Sequence, residues 1–129
     1  MVAPHLQSGE WAEKLAAIYL EKQGCEIIER NFLSRFGELD IVAICEEELV
    51  IVEVRYRKST NFGRPEETIN RRKQQKVIAA TEYYLKAHKK YADWPIRFDV
   101  VAVCGEQASP EITWINNHCC PVNYHSKTI

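Results

Sequence analysis

Two runs of aliphatic residues, LDIVAIC at 39–45 and LVIVEV at 49–54, are parted only by Glu46, Glu47 and Glu48. Runs this rich in Ile and Val, joined by so short a charged segment, predict a β-hairpin. Both runs are apolar at consecutive positions, so both faces of the hairpin need cover. That places it inside a sheet with other elements packed on each side.

The flanking sequence supplies those elements. Ser8 is a candidate N-cap for a helix reaching about Lys22, in which Trp11, Leu15, Ile18, Tyr19 and the stem of Lys22 recur at helical spacing, with Gln23-Gly24 as the stop. CEIIERNF (25–32) is a short β-prone segment, and KSTNFGRPE (58–66) is a polar loop. From Glu67 to about Tyr91, Ile69, Val77, Ile78, Thr81, Tyr84, Leu85 and His88 fit one helical face, and Pro95 ends any continuation. PIRFDVVAVC (95–104) is a further strand, with Phe98, Val100 and Ala102 on one side and Arg97, Asp99, Val101 and Val103 on the other; EITWIN (111–116) is the last. Helix, three strands, helix, two strands predicts an α/β sandwich around a mixed central sheet.

A length of 129 residues suits one domain, expected over residues 1–117, with a mobile, aperiodic tail over 118–129. Hydrophobic residues at 46% and charged residues at 27% exclude a disordered chain, and no apolar run approaches the roughly 20 residues of a membrane span. The opening MVAPHLQSGEWAEK has neither a basic n-region nor an apolar h-region, so a cytoplasmic protein with no membrane partner is expected. Cys25, Cys45, Cys104, Cys119 and Cys120 form an odd, scattered set without a C-x-x-C pair. That argues against a disulfide framework or a zinc ribbon and leaves reduced thiols as the expectation. The group His118, Cys119, Cys120 and His125 matches no structural zinc spacing.

A net charge of −1 conceals strong polarity: residues 1–54 carry −7, residues 55–90 carry +8, and the remainder −2. An acidic part next to a basic one is what cation-collecting and phosphate-collecting surfaces would require. In an antiparallel hairpin centred between Glu46 and Glu47, paired residue numbers sum to 93, which sets Asp40 opposite Glu53 and Glu38 opposite Arg55. Directly opposed side chains have Cβ atoms about 4.5–5.5 Å apart, and two carboxylates that close call for a cation. Mg²⁺ or Mn²⁺, hard ions with oxygen ligands, fit best, with Arg55 as a fixed charge beside the ion. The plainer account is a salt-bridge network among Asp40, Glu53, Arg55, Arg57 and Arg97, and a one-residue register slip would dissolve the site.

GELDIVA, LVIVEVRYR, NFGRPEETINRRKQQKVIAATEYYL, IRFDVVAV and the EITWI ending together resemble the YraN-type uncharacterised protein family, over roughly Gly9 to Ile115. The resemblance implies a restriction-endonuclease-like or tRNA-endonuclease-like α/β sandwich, related to archaeal Holliday junction resolvases. Of the superfamily's D…(D/E)-x-K signature, Asp40 matches the first acid, Glu53 the second and Arg55 the Lys position; Glu10 matches a helix-1 glutamate that some members add to the metal site. Arg55 departs from the superfamily pattern, and a guanidinium stays protonated, so it orients or stabilises a phosphate and does not act as general base.

The basic segment adds a phosphate track: Arg57, Lys58 and Arg64 lead away from the site, and Arg71, Arg72, Lys73 and Lys76 open the second helix. Lys73 is the preferred single contact, since it matches a basic position of the family pattern; the plainer account of such a run is a solvated helix face. Trp11, Trp94, Trp114 and Tyr83-Tyr84 are expected in or at the edge of the core. Asp99 is a candidate supporting carboxylate or simply the partner of Arg97. The expected function is a metal-dependent endonuclease acting on DNA ahead of RNA, with Asp40, Glu53 and Glu10 on Mg²⁺ or Mn²⁺ and the Val54 carbonyl completing the shell. Branched DNA and a homodimer follow only from the resolvase analogy. The alternatives are a nucleic-acid-binding module that cleaves nothing and a protein-interaction subunit.

Overall fold

The computed structural model describes residues 4–58, 71–106 and 108–116. The elements are α1 (Pro4–Lys22), β1 (Glu26–Ser34), β2 (Gly37–Cys45), β3 (Glu48–Arg57), α2 (Arg71–Ala87), a 3₁₀ turn (Lys89–Tyr91), β4 (Ile96–Cys104) and β5 (Glu111–Ile115). The strands form one sheet in the order β1-β2-β3-β4-β5. β3 and β4 run parallel, and the other neighbours are antiparallel. The result is the expected α/β arrangement with a mixed sheet. Ile69, Arg64, most of the 58–66 loop and the 118–129 tail, with its His and Cys residues, lie outside the described residues.

The sheet is covered on both faces, as the doubly apolar β2 and β3 require. On one face Ala12, Ala16 and Leu20 of α1 pack on Ile41, Ala43, Val50, Val52, Val101 and Val103. On the other, Val77, Ala80, Tyr84 and Leu85 of α2 pack on Leu39, Val42, Leu49, Ile51, Phe98 and Val100. The expected division of β4 holds: Phe98 and Val100 face α2, whereas Val101 and Val103 face α1.

The helices depart from expectation in phase and length. α1 begins at Pro4, so Ser8 lies inside it and is not its N-cap. Its buried row is Ala12, Ala16 and Leu20, while Ile18 stays exposed and Trp11 and Leu15 flank the contact. Small side chains at i and i+4 let the helix axis sit close to the sheet, which a row of large ones would prevent. α2 stops at Ala87, because His88 leaves helical conformation at φ −128°, ψ 74°. Thr81 is accommodated in the core by donating its hydroxyl to the Val77 carbonyl at 2.7 Å. At Gly37 β2 comes close to α2: its φ is 153°, and a Cβ there would lie 3.2 Å from the Lys76 carbonyl oxygen.

The β2–β3 hairpin closes through Glu46 and Glu47, both at positive φ (52° and 67°), the hand of a two-residue I′ turn. Its ladder runs from Cys45↔Glu48 to Ile41↔Val52, each pair keeping the expected register, and stops one step short of Asp40. β1 and β2 are interrupted at the same level. Arg30 pairs with Ile41 and Phe32 with Leu39, but Asn31, at φ 54°, and Asp40 are skipped. Across this irregularity the buried face switches: Ile41 faces α1, whereas Leu39 and Phe32 face α2.

Cysteine usage also differs from expectation. Cys25 and Cys45 form a disulfide rather than two reduced thiols. The cause is register. Glu26 pairs with Ile44 and Ile27 with Ala43, so Cys25 falls directly across from Cys45, with Cα atoms 4.5 Å apart. Scattered positions in the chain are thus neighbours in the sheet. Among the described residues, no helix is long and apolar enough to cross a membrane.

Because the disulfide closes a loop of 20 residues' separation, its reduction should lower stability by about 3 kcal/mol on the chain-entropy model. Urea unfolding with and without a thiol reductant measures this, and an unchanged midpoint in fully reduced protein would contradict the pairing.

Candidate metal and phosphate site

Asp40 occupies the point where β2 parts from β3 and where its pairing with β1 is interrupted. Its backbone is passed over by the β1 ladder and lies beyond the last β3 pair, and its carboxylate takes over the bridging: Asp40 Oδ2 accepts the Val54 N–H at 2.9 Å. Val54 therefore meets Asp40 through its N–H. Glu53 is buried, with a relative exposure of 8%, on the face that carries α2. Lys73 Nζ stands 3.1 Å from Glu53 Oε2, and Arg55 Nε stands 3.5 Å from the same oxygen. That Arg55 nitrogen is buried and makes no hydrogen bond of its own.

Burial pushes the Asp40 carboxyl up to about 7, and the nearby Glu53 charge pushes in the same direction; the Val54 N–H opposes them by favouring the ionised form. Glu13 and Glu38 add smaller repulsions. Glu13, on α1, is itself raised, first by burial and then by Glu38, while Arg30 and a side-chain hydrogen bond from Asn31 hold it down. Four carboxylates therefore sense one another at the place where the sheet is interrupted.

Glu53, Arg55 and Lys73 are thus brought together, with Asp40 near enough to sense the Glu53 charge. Arg57 is half-buried and Lys58 exposed at the end of β3, and Arg71, Arg72 and Lys76 are exposed on α2. Glu10 lies exposed on α1, and the helix-1 carboxylate felt by Asp40 is Glu13, one turn on. The signal for Glu13 was present in the Ala12-Ala16-Leu20 row, which turns position 13 toward the sheet more than position 10. Asp99 belongs elsewhere. It is fully buried on the α1 face, where Arg97 Nε and Nη2 donate to it at 3.0 Å and Trp114 Nε1 at 2.8 Å. Arg97 also reaches Glu48 at 2.7 Å. Trp11, Trp94, Trp114 and Tyr84 are core or core-edge as expected, but Tyr83 is 45% exposed.

Among the described residues, no group of three or more His, Cys, Asp or Glu side chains forms a metal cage. Two carboxylates with a neighbouring third fit an ion that keeps several waters and takes further oxygens from a phosphate, which is the habit of Mg²⁺. They do not fit a closed structural zinc centre, which needs four N or S ligands.

The family model of the uncharacterised protein family UPF0102 matches residues 12–103. A UPF0102 protein of Pseudomonas fluorescens is 42% identical over 113 residues, covering 88% of this chain and 92% of the relative. One from Stutzerimonas stutzeri is 44% identical over 110 residues, covering 85% and 92%. One from Syntrophomonas wolfei is 44% identical over 109 residues, covering 84% and 94%. The matched span holds Glu13, Asp40, Glu53, Arg55 and Lys73.

The raised Asp40 carboxyl has a consequence for stability in the absence of divalent ions. The folded state retains a proton that the unfolded chain releases near 3.8, so stability attributable to Asp40 is present below pH 4 and is lost as pH rises to about 7. Relative to wild type, Asp40→Asn should therefore gain stability as pH rises through this window, with a ceiling of about 4 kcal/mol at 1.36 kcal/mol per unit. Urea unfolding of both proteins in EDTA at pH 5 and pH 8 measures the difference, and a pH-independent difference would refute the assignment.

Proposed function

The chain belongs to the uncharacterised protein family UPF0102, and from that premise we propose that it is a metal-dependent nuclease, hydrolysing phosphodiester bonds in DNA ahead of RNA. The observation that carries the reading is that Asp40, held by the Val54 N–H at an interruption of the sheet, lies near enough to buried Glu53 to sense its charge, with two cations against Glu53. A salt-bridge network alone does not call for a second carboxylate beside an already paired one, where each raises the cost of ionising the other.

In this reading Asp40 and Glu53 hold Mg²⁺ or Mn²⁺. Such an ion, held by these two carboxylates, would acidify a water and neutralise charge at the phosphate. The Arg55 guanidinium directs N–H groups at non-bridging phosphate oxygens. The Val54 N–H fixes the Asp40 carboxylate, so the ligand does not rotate away as charge accumulates. Lys73 releases Glu53 and takes a phosphate, and Arg71, Arg72 and Lys76 extend that contact along α2. Glu13 replaces Glu10 as the helix-1 carboxylate, available to orient a water. Cytoplasmic location and a homodimer remain part of this proposal.

One observation favours a second reading, a nucleic-acid-binding module without cleavage. Lys73 and Arg55 already neutralise Glu53, so that carboxylate is satisfied without an ion.

Calorimetric titration with Mn²⁺ separates the two readings. Wild type should bind at pH 8 and Asp40→Ala should not, and Mn²⁺-dependent nicking of DNA should vanish in the same variant. Carboxylate-independent binding, or none, would remove the catalytic reading. Arg55→Lys should keep metal binding and retain or raise cleavage.

If the α2 cations meet phosphates, Arg72→Gln with Lys73→Gln should weaken DNA binding and flatten the slope of log K against log salt by about 2. An unchanged slope would leave α2 as an ordinary solvated face.

A further inference from the structure

The end of β1, the β1–β2 turn and the adjoining part of α2 carry a group of exposed apolar side chains that the site does not use. Leu33 is 78% exposed, Phe36 41% and Tyr83 45%. Phe36 and Tyr83 have ring centroids 5.8 Å apart, and Tyr83 lies 6.1 Å from Phe32, which in turn meets the buried Tyr84 edge-on at 5.0 Å. The exposed rings are thus propped from beneath by an aromatic column rooted in the core. The Arg35 guanidinium lies 5.0 Å from the Phe36 ring centroid. Leu33, Ser34, Arg35 and Tyr83 line an open depression of about 680 Å³, in which Arg35 is the one charged side chain among the described residues.

This group lies on the same ridge as the candidate site. Phe36 is four residues from Asp40 along the chain, about 13 Å at strand rise. Tyr83 is ten residues from Lys73, about 15 Å along α2. Gly37 closes the gap between the two elements by abutting Lys76. Glu38 lies between the turn and Asp40, so cations for a phosphate chain on this route come from α2.

We propose that Phe36 and Tyr83, flanked by Leu33 and Arg35, form a stacking platform for unpaired bases of a nucleic-acid strand whose phosphates run along α2 toward Asp40 and Glu53. The inference rests on the nucleic-acid reading above and narrows its substrate class to strands with an unpaired segment of about four nucleotides, taking 13–15 Å at 3.4 Å per stacked nucleotide. In a duplex the base faces are stacked on one another and only their edges are presented, so exposed rings select unpaired bases. A second copy of the chain fits less well, because a two-fold contact through this patch sets Arg35 and the basic face of α2 against their own equivalents.

The test is fluorescence anisotropy with labelled 12-mer oligo-dT, 12-mer oligo-rU and a 12-base-pair DNA duplex at two salt concentrations. Phe36→Ser with Tyr83→Ser should weaken single-strand binding at least about tenfold, the expectation for losing stacking on one or two bases. Duplex affinity and salt slope should stay within about twofold, and Phe36→Tyr with Tyr83→Phe should retain wild-type binding. Comparable loss on dT and rU assigns the platform to bases, while the difference in wild-type affinity shows which strand the protein favours.

Because removing both rings risks the fold, Tyr83→Trp gives an independent reading: its added tryptophan emission should be quenched by the single strands and not by the duplex. Serine variants that bind single strands like wild type, or lose duplex equally, overturn the platform while Arg72→Gln and Lys73→Gln still report on the phosphate track. Wild type that binds no nucleic acid overturns both proposals. A dimer, seen by sedimentation, that the serine pair dissolves without changing single-strand affinity overturns the platform alone.

Discussion

Where the β2–β3 ladder ends at Ile41↔Val52, a side chain takes over from the backbone: Asp40 Oδ2 receives the Val54 N–H at 2.9 Å. A buried amide without an acceptor costs about 1–3 kcal/mol, so removing this carboxylate would leave β3 with an unmet donor in the middle of the sheet. The same carboxylate is held beside Glu53, whose charge and the surrounding burial resist its ionisation. One bond therefore has two roles: it keeps β2 and β3 together past their last regular pair, and it holds a strained acid in a fixed orientation. Sites that bind ions are often assembled where regular pairing lapses, since regular pairing leaves little room for ligands.

The interruption is affordable because the rest of the sheet is closely covered. α1 presents alanines to one face and so approaches closely; Gly37 lets β2 approach α2 on the other. The Cys25–Cys45 disulfide ties β1 to β2 at the end remote from Asp40. At that same end Arg97 joins Glu48 of β3 to Asp99 of β4. The disulfide and the Arg97 bridge thus lie at one end of the strands, and the carboxylates with the Arg55 and Lys73 cations at the other, where β2 parts from β3.

Much of this was legible because hydrophobic periodicity and register are local properties. Two apolar runs and a three-residue spacer implied the hairpin, its register as far as Ile41↔Val52 though not the pairs Asp40–Glu53 and Glu38–Arg55 beyond it, and its doubly covered position, and the alternation in RFDVVAV assigned the two faces of β4 correctly. What was not legible depends on partners distant in sequence. Cys25 and Cys45 become neighbours only through the β1–β2 register, which the spacing of cysteines does not contain. The phase of α1 was misread because large apolar residues drew the helical face toward Trp11 and Ile18, whereas close packing favoured the alanines. Glu10 rests on the signature resemblance alone, whereas the alanine row turns Glu13 toward the sheet and Asp40 senses its charge. The lapse at Asn31 and Asp40 was invisible for a similar reason, since positive φ at an asparagine is permitted by its side chain but not announced by it.

The charge pattern acquires a geometry from these contacts. A net charge of −1 is a cancellation between −7 over residues 1–54 and +8 over residues 55–90, and the two parts meet where Lys73 approaches Glu53 at 3.1 Å. A lysine 45% exposed at its side chain is well placed to change partner, because a hydrated ammonium on a flexible stem gives up an ion pair at small cost. Arg55, more buried and with a rigid planar head, is not. The two cations beside Glu53 therefore differ in kind: Arg55 maintains a permanent positive field within the sheet, and Lys73 acts as a movable counter-charge. An acid with one fixed and one exchangeable partner can accept an external cation without leaving either itself or the displaced lysine unpaired, provided that an anion arrives with it. That condition is met more fully by a phosphodiester together with its divalent ion than by the ion alone, so under the proposed reading each should strengthen the other's binding to this surface.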